Sequence, residues 1–415
     1  MGPRLRGDDL PETYQKANTF PSSRRRANQG QQGETVAMTW LLATTLAAAG
    51  APAALPPPER VAAIAADAMA ATGAKGIAIA VIDDGKVRSA QAFGARNAAG
   101  DPLTPDTIMY GASLTKLVFS YYVMMLVDEG RLDLDRPLAT YLPQPLPDYG
   151  NVPGSGNWGD LADDPRWRRV TARHVLNHAT GFANFAFLEP DGKLRFHFDP
   201  GSRYGYSGEG IHLLQFVLER GLGLDTGAEV QRRLFAPLGM TRISLIWRPD
   251  FAANLADGWT IEGKPEPHDE RSRVRAAGSM DTTITDLATL TAAMARGWGL
   301  SAKTRRAWTR GTMRITTPSQ FPTLAPEAPP ARRFPIKAAL GPIAVSGPQG
   351  PGWVRGGHND TTGNALVCVE RGRRCVLILS NDVRSEPAFT RITRAVLGET
   401  GAPYRWTFGE MKLLD

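Results

Sequence analysis

One helix constrains this chain more than any other feature of it. Leu117, Val118, Tyr121, Met124, Met125 and Leu126 recur at the three- and four-residue intervals of an α-helix, and Gly130 supplies its stop. So broad an apolar surface predicts a helix buried inside the protein. At its start stands Tyr110-Gly111-Ala112-Ser113-Leu114-Thr115-Lys116. Lys116 follows Ser113 by three positions, so hydroxyl and amine share a helical face, where the amine can take the hydroxyl proton. A serine at the open start of a buried helix also meets backbone N–H groups able to stabilise an oxyanion. The tetrapeptide alone is weak, because chance supplies roughly one Ser-x-x-Lys in a chain this long. An N-cap serine with a solvated lysine one turn on is the plainer alternative.

The segments downstream decide against that alternative. Gly130-Arg131-Leu132-Asp133-Leu134-Asp135-Arg136-Pro137-Leu138, Tyr141-Leu142-Pro143, the stretch from Val170 through His174 and His178 to Gly181-Phe182, Leu234 to Thr241, and Ala276-Ala277-Gly278-Ser279-Met280 follow in order. With these, the chain from about residue 58 onward resembles the serine β-lactamase, penicillin-binding-protein and esterase superfamily, nearest its class C-like branch. The resemblance implies an α/β (α+β) sandwich of the β-lactamase/transpeptidase type: an antiparallel sheet flanked by helices, with an inserted helical lobe. It also implies that Ser113 is the nucleophile and Lys116 the general base.

The family's second motif, Tyr-x-Asn, falls at Tyr206-Ser207-Gly208. Tyr206 matches and is expected to serve as general acid/base, since a lysine beside a tyrosine lowers its pKa. Gly208 stands where the family has Asn, so the amide offered to a substrate carbonyl is missing. That disfavours lactam or peptide recognition and favours esters or unusual amides, and an Asn restored at 208 is expected to shift preference towards the lactam. The third motif, usually Lys-Thr-Gly or His-x-Gly, lies within Trp353-Val354-Arg355-Gly356-Gly357-His358 in one of two registers. In the preferred one Arg355 supplies the cation, Gly357 keeps the glycine and His358 gives an oxyanion-hole N–H; in the other His358 starts the motif.

Two rival motifs compete. His174 and His178, four apart, would share a helical face for zinc, but His-Val-Leu-Asn-His lacks the Glu of a zinc protease. Gly205-Tyr206-Ser207-Gly208-Glu209 nearly spells a nucleophile elbow with Ser207 as nucleophile; it fails at the last glycine and no strongly apolar strand precedes it. No metal and no cofactor is expected.

With 415 residues, 42% of them hydrophobic, the chain can bury one large two-lobed core. Residues 1–57 read as a disordered N-terminal extension, polar and without apolar periodicity before Met38, where a mis-set start is the alternative, and 58–415 as the hydrolase domain. From Met38, the run Trp-Leu-Leu-Ala-Thr-Thr-Leu-Ala-Ala-Ala at 40–49 followed by Ala51-Pro52-Ala53-Ala54 resembles a signal peptide, implying an exported, periplasmic or secreted protein; a disordered Ala-rich tail is the alternative. No stretch is long enough for a stable membrane span. The net charge of +7 is dispersed, with no basic stripe to bind nucleic acid, so the expected partner is a small-molecule, peptide or ester substrate. Strands are expected at 76–82 and 87–93 around an Asp83-Asp84-Gly85 turn, with others at 343–346, 353–355, 365–370 and 374–380. Helices are expected at 59–72 and 387–397. A two-residue turn at Arg371-Gly372 would set Cys368 opposite Cys375, as a disulfide or as two buried thiols. The proline-rich stretch 318–335 is expected to form a loop over the sheet near the site. The implied chemistry is acyl transfer through a covalent serine intermediate; a non-catalytic penicillin- or acyl-binding sensor of the same fold is the competing class.

Overall fold

The computed structural model describes residues 54–328, 334–409 and 411–414. The signal-peptide stretch therefore lies outside the described residues except for Ala54. The main sheet has eight strands: β1 Gly76–Asp83, β2 Lys86–Gly94, β3 Met313–Arg314, β4 Lys337–Ala338, β5 Ile343–Gly347, β6 Gly350–His358, β7 Gly363–Val369 and β8 Arg374–Ser380. Their spatial order is β3-β4-β5-β6-β7-β8-β1-β2, every pair antiparallel. This is the expected mixed architecture, and the segment between β2 and β3 is the inserted helical lobe.

Strand periodicity explains the layering. On β1, Ala78, Ala80 and Ile82 pack into the core shared with the helical lobe, while Ile77, Ile79 and Val81 pack into the core on the other face. Both faces are covered, so β1 reads as one apolar run with no alternation of polarity. Helix α1, Pro58–Thr72, lies on the second face through Val61, Ile64, Ala65 and Ala68. Pro58 occupies its first turn and Gly73 closes it at φ 71°, the left-handed conformation favoured at helix ends. Between β1 and β2, Asp84 and Gly85 both have positive φ, the geometry of a two-residue type I′ hairpin.

The first face carries helix α2, Leu114–Asp128, buried at every residue from Leu114 to Leu126. Its Tyr121 ring packs edge-on to Trp308 at 4.9 Å, and Trp308 donates to Ser120 Oγ at 3.1 Å. A short helix α3, Ala172–Leu176, helix α4, Gly208–Gly221, and helix α5, Ile284–Arg296, complete the parts of the lobe that matter for the site. Helix α6, Phe389–Leu397, closes the second face after a 3-10 turn over Val383–Ala388, so the helix expected over 387–397 begins two residues late because Pro387 sits in that turn.

At the β7–β8 hairpin, Cys368 faces Cys375 and the two are disulfide-bonded with their Cα atoms 4.1 Å apart. The register is the expected one, but the innermost ladder pair is Val369 with Arg374, leaving a four-residue loop in place of two. Arg373 N–H donates to Glu370 O, and positive φ at both Gly372 and Arg373 turns the chain.

Candidate active site

Ser113 sits at the first residue position before α2 with φ −69° and ψ −2°, and the residue before it, Ala112, is held at φ 45°. A side-chain-bearing residue in that left-handed region costs of order 1–3 kcal/mol and persists only where its surroundings enforce it. The surroundings are the segment Ala276–Met280: Gly111 N–H donates to Met280 O, Met280 N–H donates to Thr115 Oγ1, and Tyr110 OH donates to Gly278 O at 2.6 Å. The same segment presents Ala277 O to Lys116 Nζ at 2.5 Å. Thus the Ala-Ala-Gly-Ser-Met stretch straps the serine turn and fixes the lysine.

Lys116 Nζ lies 3.0 Å from Ser113 Oγ, and the side chain is almost wholly buried. Tyr206 OH lies 2.9 Å from the same oxygen. Burial disfavours the ammonium, and the nearby Arg355 cation adds to that, so the Lys116 pKa is held below its ordinary value. Burial alone would push the Tyr206 phenol up; the Lys116 and Arg355 cations outweigh it and bring the pKa down to about 8. A buried amine with a lowered pKa and a phenol titrating near neutrality, both on one serine oxygen, form a set that can remove and return a proton.

Arg355 reaches this set from β6. Side chains alternate along the strand, so Trp353, Arg355 and Gly357 face the helical lobe while Val354 and His358 face the other layer. The guanidinium donates to Tyr206 OH at 3.4 Å, to Gly341 O at 3.1 Å and, through two nitrogens, to His178 Nε2 at 3.2 Å. None of those acceptors is a carboxylate, and among the described residues no ion pair is formed by Arg355. His178 itself is buried and packs against Tyr206 with ring centroids 4.5 Å apart and the planes tilted by 35°. Burial, then the Arg355 and Lys116 cations, push its pKa well below the usual value, so the ring is neutral. Ser207 N–H also points at its Nδ1, 3.2 Å away, but a neutral imidazole has one lone pair to offer, and the charged fork makes Nε2 the stronger acceptor.

Gly357 is where β6 meets the serine turn. A Cβ there would stand 2.7 Å from Gly111 O and 3.2 Å from Ser113 N, so only glycine lets the two backbones approach. This closeness brings the strand backbone at 357–358 beside the Ser113 N–H, where an oxyanion would sit.

The family follows from a match over most of the chain: the beta-lactamase profile covers residues 61–399. The chain belongs to the beta-lactamase family. Over 205 residues it is 30% identical to a monacolin J acid methylbutanoyltransferase of Aspergillus terreus, covering 42% of this chain and 48% of that protein. Over 180 residues it is 29% identical to a lovastatin esterase of Penicillium rubens, covering 38% and 44%. The chain thus matches these curated relatives over about half their length. Among solved structures, the octameric penicillin-binding protein homologue from Pyrococcus abyssi shares the fold, with a TM-score of 0.65 at 20% identity over 83% of this chain and 78% of that one.

In this beta-lactamase family member the geometry sorts the remaining sequence candidates. Ser207 Oγ donates to Ala183 O and accepts from Gly210 N–H, which makes it the cap of α4 and removes it as a rival nucleophile. His174 Nδ1 accepts from Thr171 N–H in the reciprocal cap that opens α3, whereas His178 lies beyond that helix at φ 52°, so the two histidines share no helical face. The His358 side chain turns away from Ser113 and pairs through Nδ1 with Glu386 at 2.7 Å; only its backbone remains on the serine side, which favours the register that begins at Arg355. Gly208 corrects an expectation more sharply. The space its side chain would fill is taken by Phe185, whose Cε1 would lie 2.4 Å from a Cβ at 208. Sequence reading missed Phe185, the neutral role of His178 and the Ala277 carbonyl, because each depends on a contact between segments far apart in the chain.

Proposed function

We propose that this protein is a serine hydrolase that cleaves esters by two-step acyl transfer through Ser113. The observation that carries the proposal is the convergence of Lys116 and Tyr206 on one oxygen, at 3.0 and 2.9 Å. In the first step Ser113 Oγ attacks the ester carbonyl carbon while its proton passes to the Tyr206 phenolate or the neutral Lys116 amine. The carbonyl oxygen gathers negative charge, and the backbone N–H groups of Ser113 and His358, beside Gly357, are the donors this scheme assigns to it. Collapse breaks the bond to the leaving alkoxide, which takes the proton back through Tyr206. Water then repeats the sequence on the acyl-enzyme, releasing the acid and restoring the serine.

Arg355 serves this scheme as a cation next to Tyr206, and Gly357 as the close-approach residue. An esterase and an acyl-transferring enzyme among the curated relatives support acyl chemistry of this kind. The absence of an amide at 208 supports the ester over the lactam. Export from a signal peptide at Met38 belongs to the same proposal, and the Cys368–Cys375 disulfide supports it, since such bonds persist in oxidising compartments.

The test is turnover of p-nitrophenyl acetate and nitrocefin by wild type, Ser113→Ala and Ser207→Ala. The proposal expects ester turnover well above lactam turnover, lost in Ser113→Ala and retained in Ser207→Ala. Retention in Ser113→Ala, or nitrocefin cleaved faster than the ester, contradicts it.

A further inference from the structure

Few large apolar side chains are exposed among the described residues, and two of them flank the proposed site: Phe187 at 39% and Phe321 at 37% exposure. Phe321 stands edge-on to Tyr206 with ring centroids 5.6 Å apart. Phe187 stacks on Phe185 at 5.2 Å with the rings only 11° from parallel. Phe185 in turn covers Gly208, which lies two residues along from Tyr206 and therefore within about 7 Å of its backbone.

The Phe185 ring is held, not draped. Asn184 O accepts from both Gly208 N–H and Glu209 N–H, at 2.8 and 2.9 Å. Asn184 Oδ1 accepts from Gly208 N–H at 2.9 Å as well. Glu209 Oε1 accepts from Ala186 N–H at 2.8 Å, so the loop carrying the phenylalanines is bolted to the first turn of α4. A rigid apolar surface beside a nucleophile has a specific consequence: it rewards an apolar acyl group and leaves an acylamino N–H or C=O without a partner.

We propose that Phe185, Phe187 and Phe321 form the acyl-binding wall of the site, and that its substrates are esters of apolar acids, aliphatic or aromatic, with no amide next to the reacting carbonyl. This rests on Ser113 being the nucleophile. It also changes what Gly208 means. The glycine is there to admit a ring, so an Asn at 208 alone would collide with Phe185 Cε1 at 2.4 Å and Asn184 O at 3.1 Å. That single change is therefore expected to leave the substrate preference where it is.

The experiment compares kcat/KM for p-nitrophenyl octanoate and acetate in wild type, Phe187→Ser and Phe321→Ser; both positions are exposed, so folding is preserved. The octanoate-to-acetate ratio should fall about tenfold in each variant, the scale of a lost apolar pocket contact. An unchanged ratio in both overturns the wall. A second arm measures nitrocefin against acetate in Gly208→Asn and in Gly208→Asn with Phe185→Ala. Only the double variant should gain lactam turnover, and an equal gain in the single variant overturns the proposal. Ester turnover surviving Ser113→Ala would instead overturn the reading on which the wall rests, and the wall with it.

Discussion

Strand β6 carries two basic side chains three residues apart, Arg355 and His358, and they end in opposite electrostatic circumstances. Arg355 is buried on the serine side with no carboxylate among its acceptors. His358 is 43% exposed on the other side and bonded to the fully buried carboxylate of Glu386. Partial burial works against the His358 cation, but the Glu386 charge and hydrogen bond outweigh it and raise the pKa. Burial likewise keeps the Glu386 pKa above its ordinary value despite that partner. One cation has its field absorbed by an opposite charge; the other keeps its field and spends it on Tyr206. The lesson is that a buried cation keeps its field for its neighbours where no carboxylate pairs with it.

The largest effect should come from removing what Arg355 acts upon. Lys116→Ala and Tyr206→Phe should each slow acylation by roughly a hundredfold or more, the scale of general acid–base catalysis, read as the burst rate with p-nitrophenyl acetate. An unchanged rate in Tyr206→Phe would return that ring to a packing role.

Next in size is the charge itself. With the Tyr206 pKa brought down to about 8, the rate should climb through that pH as the phenolate forms. Arg355→Met removes a cation, which favours the neutral phenol, so the rising limb must move to higher pH. A shift of about one unit leaves roughly tenfold less base at neutral pH. A limb that stays in place breaks the comparison on the Arg355 side.

The comparison can also be inverted by giving Arg355 the kind of partner His358 has. Asn and Asp both tolerate the positive φ of position 178 and nearly match in shape. His178→Asp should therefore move the limb upward, as Arg355→Met does, while His178→Asn stays within a few-fold of wild type. Equal behaviour of the two would mean that charge at this position is irrelevant. The smallest effect on rate is expected at the other end of the pair. His358→Ala strands the buried Glu386 carboxylate, so it should lower stability by about 1–3 kcal/mol in urea denaturation while changing kcat/KM less than Arg355→Met does.

How much of this the sequence discloses depends on contact range. Ser113 and Lys116 are legible because their geometry is set by one turn of helix, and β1 and β8 because strands covered on both faces read as apolar runs. Tyr206 is legible through a tripeptide. The meaning of Gly208 is not, since it depends on Phe185 folding back from another loop, with Asn184 and Glu209 holding it there. The same holds for Glu386, which lies 28 residues from His358 and takes the space beside Gly363 that a side chain there would need. Cys368 and Cys375 stand between these cases: their register is local and readable, whereas bond or free thiols is a matter of chemistry the pattern leaves open.

The central claim, an acyl-enzyme on Ser113, is tested most directly by trapping it. Wild type, Ser113→Ala and Ser207→Ala would be exposed to a fluorophosphonate, weighed intact and digested to map the adduct. The account predicts a single added phosphonyl group on the peptide holding Ser113 in wild type and Ser207→Ala, and none in Ser113→Ala. Labelling that persists in Ser113→Ala, or maps to Ser207, would contradict it.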